Sequence, residues 1–170
     1  GQVFTDITIS GWIRGSQTGD WSGIFQSRDG SQPIGLGYRA GTGELTYTWN
    51  DNNAETYNFV SSLVIPVDEW AFVALTLTPE SATLYLGSNG ELNSATNAIP
   101  HIEQSSLETP WHFGKDNCCG TERNFQGAMD DIAIWDGALS QDQISSLFDG
   151  SATPLTVFSG GGAAVDVLVN

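Results

Sequence analysis

Short stretches in which apolar and polar residues alternate, separated by turns rich in glycine and proline, run through most of this chain. In residues 4–14, for example, three isoleucines alternate with Thr8, Ser10 and Trp12. Alternation with a period of two is typical of strands that bury one face. About a dozen such stretches, with no long helical periodicity, predict an all-β protein, a sandwich of two antiparallel sheets.

We expect the further strands at residues 22–27, 34–39, 44–49, 56–60, 63–67, 70–78, 82–87, 111–115, 128–135 and 164–169. The polar stretch 88–106 gives no clear prediction.

One short helix is predicted near residues 141–148. Ser140 is placed to cap its first turn, and Gln143, three residues later, fits a capping box. Gly150 is placed to end it. We treat residues 1–150 as one β-sandwich domain, and residues 151–170 as a loop and strand that complete the same domain or lead to the next one.

The charge of the chain limits its partners. The chain has five Lys and Arg residues and 20 Asp and Glu residues, which gives a formal net charge of −15. Such a surface repels nucleic acids and anionic membranes, whereas it suits solubility, a cation or a neutral ligand. No apolar run approaches the about 18 residues of a membrane helix. The composition fits a secreted or cell-surface protein, and the start without Met suggests a piece of a longer chain with other domains.

Five blocks follow one another along the chain: FTDITISGW at 4–12, WAFVALT at 70–76, ATLYL at 82–86, WHFG at 111–114 and FQGAMDDIAIW at 125–135. In this order they resemble laminin-G-like domains of the concanavalin A-like lectin/glucanase superfamily. The resemblance covers roughly residues 4–150 and implies a jelly-roll sandwich, usually with a structural calcium ion. The strand and acidic loop that commonly precede the first block are missing, or the segment 164–169 takes their place.

The resemblance places a calcium carboxylate at the start of the strand 128–135, which makes Asp130 the first candidate ligand. Asp131 would point to the other face or offer its carbonyl, and Asp116 and Asn117 in the adjacent loop are weaker candidates. Alternatively, Asp130 caps backbone amides or pairs with Arg123.

Cys118 and Cys119 are adjacent in the sequence. We favour a disulfide between them, which would stiffen the loop and present an apolar, sulfur-rich patch. Two free thiols, or pairing outside this chain, are the alternatives. A zinc site is disfavoured because its cysteines are usually spaced Cys-x₂₋₄-Cys.

Aromatic side chains are candidates for stacking on a sugar ring. Trp21 lies in a loop, and Trp49 and Tyr57 flank the polar turn 51–53. Arg123, beside the cysteines, would bind an acidic or hydroxylated ligand, or neutralise a nearby carboxylate. The remaining four tryptophans lie in predicted strands and are assigned to packing: Trp12, Trp70, Trp111 and Trp135.

Catalysis is not expected. Glucanases of the similar superfamily carry a Glu-x-Asp-x-x-Glu-like strand pattern, which this sequence lacks. The adjacent acidic residues Asp68-Glu69 and Asp130-Asp131 point to opposite faces of a strand. His101 and His112 have no recognisable nucleophile partner. We therefore expect a non-catalytic extracellular module that binds carbohydrate, with a protein-binding or adhesion module as the alternative and a polysaccharide-degrading domain as the third possibility.

Overall fold

The computed structural model describes residues 3–16, 21–27, 33–49, 54–101, 105–106, 111–119, 123–157 and 164–165. The strands are β1 (Val3–Phe4), β2 (Ile7–Gly15), β3 (Ser22–Ser27), β4 (Ile34–Tyr38), β5 (Leu45–Thr48), β6 (Ala71–Thr78), β7 (Ser81–Ser88), β8 (Glu91–Asn97), β9 (Ser105–Ser106), β10 (Trp111–Phe113), β11 (Lys115–Asp116), β12 (Arg123–Asn124), β13 (Gly127–Asp136) and β14 (Ala164–Val165). The helices are α1 (Ala54–Tyr57) and α2 (Gln141–Phe148).

Most strands belong to two six-stranded sheets. The first sheet has the order β11-β12-β3-β4-β5, with β10 also paired to β3, and the second has the order β14-β13-β2-β6-β7-β8. Neighbouring strands are antiparallel except for β12, which pairs with β3 in parallel. The strands β1 and β9 form a separate pair. This arrangement confirms the predicted all-β sandwich.

Both sheets contribute alternate residues to one core. Ile9 and Leu75 enter it from the second sheet, and Leu36 and Tyr47 enter it from the first. All four side chains are buried. Because strand side chains alternate between faces, the intervening residues of each strand point away from this core. The two outer faces of the sandwich are therefore built from a different set of residues.

The helix α2 covers the outer face of the second sheet. Its capping box is formed as predicted, because Ser140 accepts from the backbone N–H of Gln143, and the Gln143 side chain accepts from the backbone N–H of Ser140. The Phe148 ring stacks on Trp12 at 6.0 Å between centroids. It occupies the space that a side chain at Gly87 would need. The predicted helix is confirmed at residues 141–148.

The turn between β13 and α2 is fastened to β2 by one buried hydroxyl. Thr8 Oγ1 donates to the carbonyl of Gly137 and accepts from the N–H of Leu139, each at 2.8 Å. Thr8 is fully buried. One side chain therefore satisfies two backbone groups that would otherwise be buried without partners.

Several predicted elements differ in the structure. Residues 56–60 are not a strand, because residues 54–57 form the helix α1. Thr56 is buried, and the Tyr57 carbonyl accepts a hydrogen bond from Thr46, so tertiary contacts override the local preference for a strand. Residues 63–67 make only isolated bridges. The undecided stretch 88–106 contains the strands β8 and β9.

Two further boundaries changed. The predicted strand 111–115 is interrupted at Gly114, whose φ of +72° suits glycine. Of the predicted strand 164–169, Ala164–Val165 pairs with β13, and the remainder lies outside the described residues.

Neither helix has the length and apolar character that crossing a membrane requires, within the part of the chain that is described.

Three of the four tryptophans assigned to packing do pack. Trp135 is fully buried, and Trp12 and Trp111 contact core aromatic rings. Trp70 was wrongly assigned to the core. It immediately precedes β6, is 42% exposed, and lies beneath the Arg14 guanidinium at 5.6 Å from the ring centroid.

Candidate ligand-binding cavity

A cavity of about 620 Å³ opens on the outer face of the first sheet. Its lining residues come from the strands β3, β4, β5, β11 and β12, from the helix α1, and from the residues just before β3 and just after β11. The opposite outer face of the sandwich is covered by α2, so the two faces differ. The cavity therefore lies where strands supply a rigid surface and loops supply its walls.

The floor of the cavity is polar and consists of Gln26 from β3 and of Thr46 and Thr48 from β5. All three are buried. Thr48 Oγ1 donates to Gln26 Oε1 at 3.3 Å, and Thr46 Oγ1 donates to the Tyr57 carbonyl at 3.1 Å. Between these strands, β4 carries Gly35, where a side chain would overlap the Gln26 amide. The missing side chain leaves room for the amide group.

One wall of the cavity combines aromatic and charged side chains. Trp21 and Tyr57 both line the cavity and are half-buried. The Arg123 guanidinium carbon lies 5.8 Å from the Trp21 ring centroid, a cation–π arrangement. Arg123 Nη1 also lies 3.5 Å from Asp116 Oδ2. Asp116 is buried, so the pair neutralises a carboxylate that would be costly to bury alone.

The predicted disulfide between Cys118 and Cys119 is present, and both residues line the cavity. Cys118 is half-buried and Cys119 is exposed. Cys119 has a φ of +60°, in the left-handed region that non-glycine residues rarely adopt. The loop after β11 therefore has an unusual local conformation at the edge of the cavity.

The cavity is close to electrically neutral, although the chain as a whole is strongly acidic. Asp116 and Arg123 are the charged side chains among the described lining residues, and they pair with each other. Tyr38, which also lines the cavity, is buried, and this burial raises the pKa of its phenol far above the usual range. It stays uncharged over the whole neutral range. The local chemistry therefore consists of hydroxyls, an amide, aromatic rings and sulfur.

The structure brings most of the predicted ligand-binding residues together. Trp21, Tyr57 and Arg123 line one cavity. Trp49 does not: it is fully buried in the core, which contradicts its assignment as a stacking platform. The reason is strand parity, because Trp49 continues the core-facing series of Leu45 and Tyr47.

Sequence reasoning missed the floor residues Gln26, Thr46 and Thr48. A usable signal exists in the segment LTYTW at 45–49, in which large apolar residues alternate with threonines. That alternation marks the threonines as facing away from the core. It does not reveal that Gln26, on the strand beyond β4, joins them in one surface.

The three predicted calcium ligands do not form one site. Asp130 belongs to the second sheet, whereas Asp116 and Asn117 belong to the cavity on the first. Asp130 Oδ1 accepts from the backbone N–H of Asp131 at 2.9 Å, which is the alternative role considered above. Within the described ranges, no group of three or more His, Cys, Asp or Glu side chains is arranged to hold a metal.

The acidic neighbours Asp130 and Asp131 do not follow simple strand alternation. A register shift, a β-bulge, lies between Asp130 and Ala133 in the pairing with β2, and Asp131 has a φ of +49°. Both carboxylates are exposed. The local geometry is therefore that of a bulge, where carbonyls as well as side chains are re-aimed.

The two histidines have structural contacts. His101 is buried, and its Nε2 lies 2.9 Å from the Tyr47 hydroxyl, which also accepts from Asn97 Nδ2 at 2.8 Å. His112 Nε2 lies 3.4 Å from Asn117 Nδ2. Asp116 is the single carboxylate among the described residues that line the cavity. A two-carboxylate hydrolytic arrangement needs a second one there.

Comparison with known proteins places the chain in a structural context. Residues 2–145 match a family described as the concanavalin A-like lectin/glucanases superfamily. No curated protein sequence matches the chain significantly.

Solved structures match over most of the chain. A "putative carbohydrate binding protein" from Bacteroides ovatus has a TM-score of 0.71 and 18% identity over 92% of this chain and 44% of its own. Domain 4 of AbnA, an extracellular arabinanase of Geobacillus stearothermophilus in complex with arabinotriose, has a TM-score of 0.64 and 20% identity over 85% of this chain and 66% of its own.

A Trypanosoma rangeli sialidase has a TM-score of 0.57 and 14% identity over 84% of this chain and 22% of its own. The present chain thus spans less than half of the Bacteroides protein and less than a quarter of the sialidase. At these identities the likeness shows the fold alone.

Proposed function

Since this chain belongs to the concanavalin A-like lectin/glucanases superfamily, we propose that it is a non-catalytic module that binds a carbohydrate in the cavity on its first sheet. One observation carries the proposal: the cavity joins a buried polar floor to a wall with aromatic rings. A sugar presents hydroxyls on its edges and C–H groups on its faces. Binding sites of this kind combine an apolar surface with a few well-placed polar groups.

The floor residues are suited to the hydroxyls of a sugar. Gln26 offers its amide N–H groups as donors, and Thr46 and Thr48 offer hydroxyl oxygens as acceptors, since both hydroxyl protons are donated within the protein. They stand on β-strands, so their positions are fixed before a ligand arrives. A preformed site reduces the ordering cost of binding.

The wall residues are suited to the faces of a sugar. Trp21 and Tyr57 each offer a partly exposed ring. Arg123 holds the Trp21 ring from one side, which leaves less freedom for that side chain. The structural neighbours add support at the level of fold, because one of them is a domain in complex with arabinotriose.

A binding role is favoured over hydrolysis by the chemistry of the cavity. Its one carboxylate among the described residues, Asp116, is buried and paired with Arg123. The Arg123 side chain therefore engages this carboxylate, and the described lining residues supply no second carboxylate to act with it in a two-carboxylate hydrolysis. A hydrolytic domain is the third possibility, and its basis is the fold that the chain shares with neighbours such as the sialidase.

A protein-binding or adhesion module is the second candidate, and one observation favours it. Val60, Val64, Val67 and Trp70 are each at least 42% exposed, although they are large apolar side chains close together in sequence. Exposed apolar groups are common in protein contacts when they form a continuous patch. This candidate would be favoured by binding to a protein partner that survives Trp21→Ala and is lost in Trp70→Ala.

We keep a structural calcium ion and an extracellular setting as separate proposals that rest on the family resemblance. Of the three candidate ligands, Asp130 lies apart from the other two, at the β13 bulge, and carbonyl oxygens would have to complete the coordination there. The acidic, lysine-poor surface is compatible with an extracellular setting.

A glycan array probed with the whole chain tests the proposed function. We expect binding to a subset of neutral glycans, lost when Trp21 is replaced by Ala. A silent array, or cleavage of the immobilised glycans by the wild-type chain, would count against it.

A further inference from the structure

We propose that the Cys118–Cys119 disulfide is itself part of the ligand-contact surface, an apolar wall on which the C–H face of a bound sugar packs. The inference rests on the proposed function and adds a contact to the same cavity. Both cysteines line the cavity that Trp21 and Tyr57 also line.

The disulfide is held in position by the residues before it. Asp116 pairs with Arg123 twice, through the β11–β12 ladder and through the side chains. The β11–β12 hairpin is joined to β3, whose Gln26 belongs to the floor. Cys118 therefore lies two residues after Asp116, which is buried and held by both its backbone and its side chain. A contact surface held in this way needs little ordering when a ligand binds.

A role in global stability does not account for the bond. A disulfide stabilises a fold in the chain-entropy account by closing a loop, and its effect grows with loop length. Cys118 and Cys119 are neighbours, so the loop closed here is the smallest that the chain allows. The effect of the bond must therefore be local, on the shape and surface of the loop at the cavity.

The surface that the bond presents is chemically distinct from the floor. Sulfur in a disulfide carries no proton to donate, and divalent sulfur in proteins behaves as a soft, polarisable, largely apolar group. Cys118 is half-buried and Cys119 is exposed, so part of this surface is open to a ligand. The backbone of Cys119 itself is left-handed. Unusual backbone conformations of this kind cluster at ligand sites.

The first test removes the bond by the double substitution Cys118→Ser and Cys119→Ser. Arabinotriose and the neutral glycans of an array serve as probes. We expect affinity for the bound glycans to fall at least fivefold, while the melting temperature stays within about 3 °C of the wild type, because the bond closes no long loop. Unchanged affinity in the double variant would overturn the inference.

The second test asks whether a ligand touches the bond. Tris(2-carboxyethyl)phosphine reduces the disulfide to two thiols, and each phosphine takes up one oxygen from water to become its oxide. Two thiols per chain, counted with a chromogenic disulfide after the phosphine has been removed, mark completion. We expect a saturating glycan to slow this reduction at least threefold in the wild type and to have no effect in Trp21→Ala.

The outcomes separate the two proposals. Loss of affinity together with protection supports the contact. Loss of affinity without protection would mean that the bond only shapes the loop, and it would overturn the inference. If glycans bind and neither the double variant nor the reduction rate changes, the inference alone fails. If no glycan binds the oxidised wild type, the proposed function fails and the inference falls with it.

Discussion

The guanidinium of Arg123 lies over the ring of Trp21, with 5.8 Å between the guanidinium carbon and the ring centroid. The same guanidinium lies 3.5 Å from the carboxylate of Asp116. One cation thus connects a loop tryptophan that precedes β3 with a buried acid from β11. This unit forms one side of the cavity, and Trp21 precedes the other two members by about a hundred residues in the sequence.

Replacement of Arg123 by Gln should lower the free energy of unfolding by about 1–3 kcal/mol, because the buried Asp116 carboxylate loses its cation. Urea denaturation measures the change. Arg14→Gln is the matched control, because Arg14 also lies over a tryptophan, Trp70, but is exposed. The control should change stability by less than about 0.5 kcal/mol.

The double variant Arg123→Gln with Asp116→Asn should regain part of that loss, since no unpaired charge is left buried. Equal destabilisation by the Arg14 and Arg123 variants would contradict the view that the Asp116 pair is structurally important.

The turn that leads into α2 provides an independent test of the fold. Thr8→Val removes a hydroxyl and keeps the shape, leaving the Gly137 carbonyl and the Leu139 N–H without their partner. We expect a loss of about 1–3 kcal/mol in the free energy of unfolding. Thr83→Val is the control, because the Thr83 hydroxyl bonds to Thr96 at an exposed site. A thermal or urea melt in which the two variants behave alike would refute the role given to Thr8.

The sandwich and its helix could be predicted because their signals are local. Alternation of apolar and polar residues over four to nine positions predicts the strands β2 and β6. The pair Ser140 and Gln143 predicts the start of α2 without any knowledge of tertiary contacts. The adjacency of Cys118 and Cys119 is equally local. Such local preferences are kept in the folded protein because the tertiary contacts around them favour the same conformation.

The cavity could be predicted only in part, because its members are joined by strand pairing rather than by sequence. Gln26 and Thr48 meet across Gly35, and nothing near either residue indicates the partner. The prediction for Trp49 is wrong because it relied on the polar turn next to this residue. The alternation of side chains along β5 places Trp49 on the core side with Leu45 and Tyr47. Thr56 and Tyr57 became helical because their environment, and not their own preference, decides the conformation.

Charge should influence the choice of ligand. A net charge of −15 repels anionic sugars at long range, and this repulsion weakens as salt shortens the Debye length to about 8 Å at physiological ionic strength. We expect neutral glycans to bind with an affinity that hardly depends on salt. Uronic-acid-containing analogues should bind more weakly at low salt than at high salt. Tighter binding of the acidic analogue at low salt would instead identify Arg123 as an anion-binding group.

Calcium should raise the melting temperature if Asp130 takes part in a calcium site. At one hundred times its dissociation constant a ligand adds about 2.7 kcal/mol, which corresponds to roughly 5–10 °C for a chain of this size. Differential scanning calorimetry with calcium and with a chelator measures the shift, and Asp130→Asn should abolish it. An unchanged midpoint in the wild type, with no metal found by elemental analysis, would reject the calcium proposal and leave carbohydrate binding intact.

The most direct measurement of the central claim is isothermal titration of a glycan selected on the array into the wild type, Trp21→Ala and Trp70→Ala. Trp70 is the matched control, because it is a partly exposed tryptophan beneath an arginine that does not belong to the cavity lining. We predict that Trp21→Ala weakens binding at least tenfold, about 1.4 kcal/mol or more, and that Trp70→Ala binds like the wild type. Equal affinity of the wild type and Trp21→Ala would contradict the assignment of the cavity as the carbohydrate site.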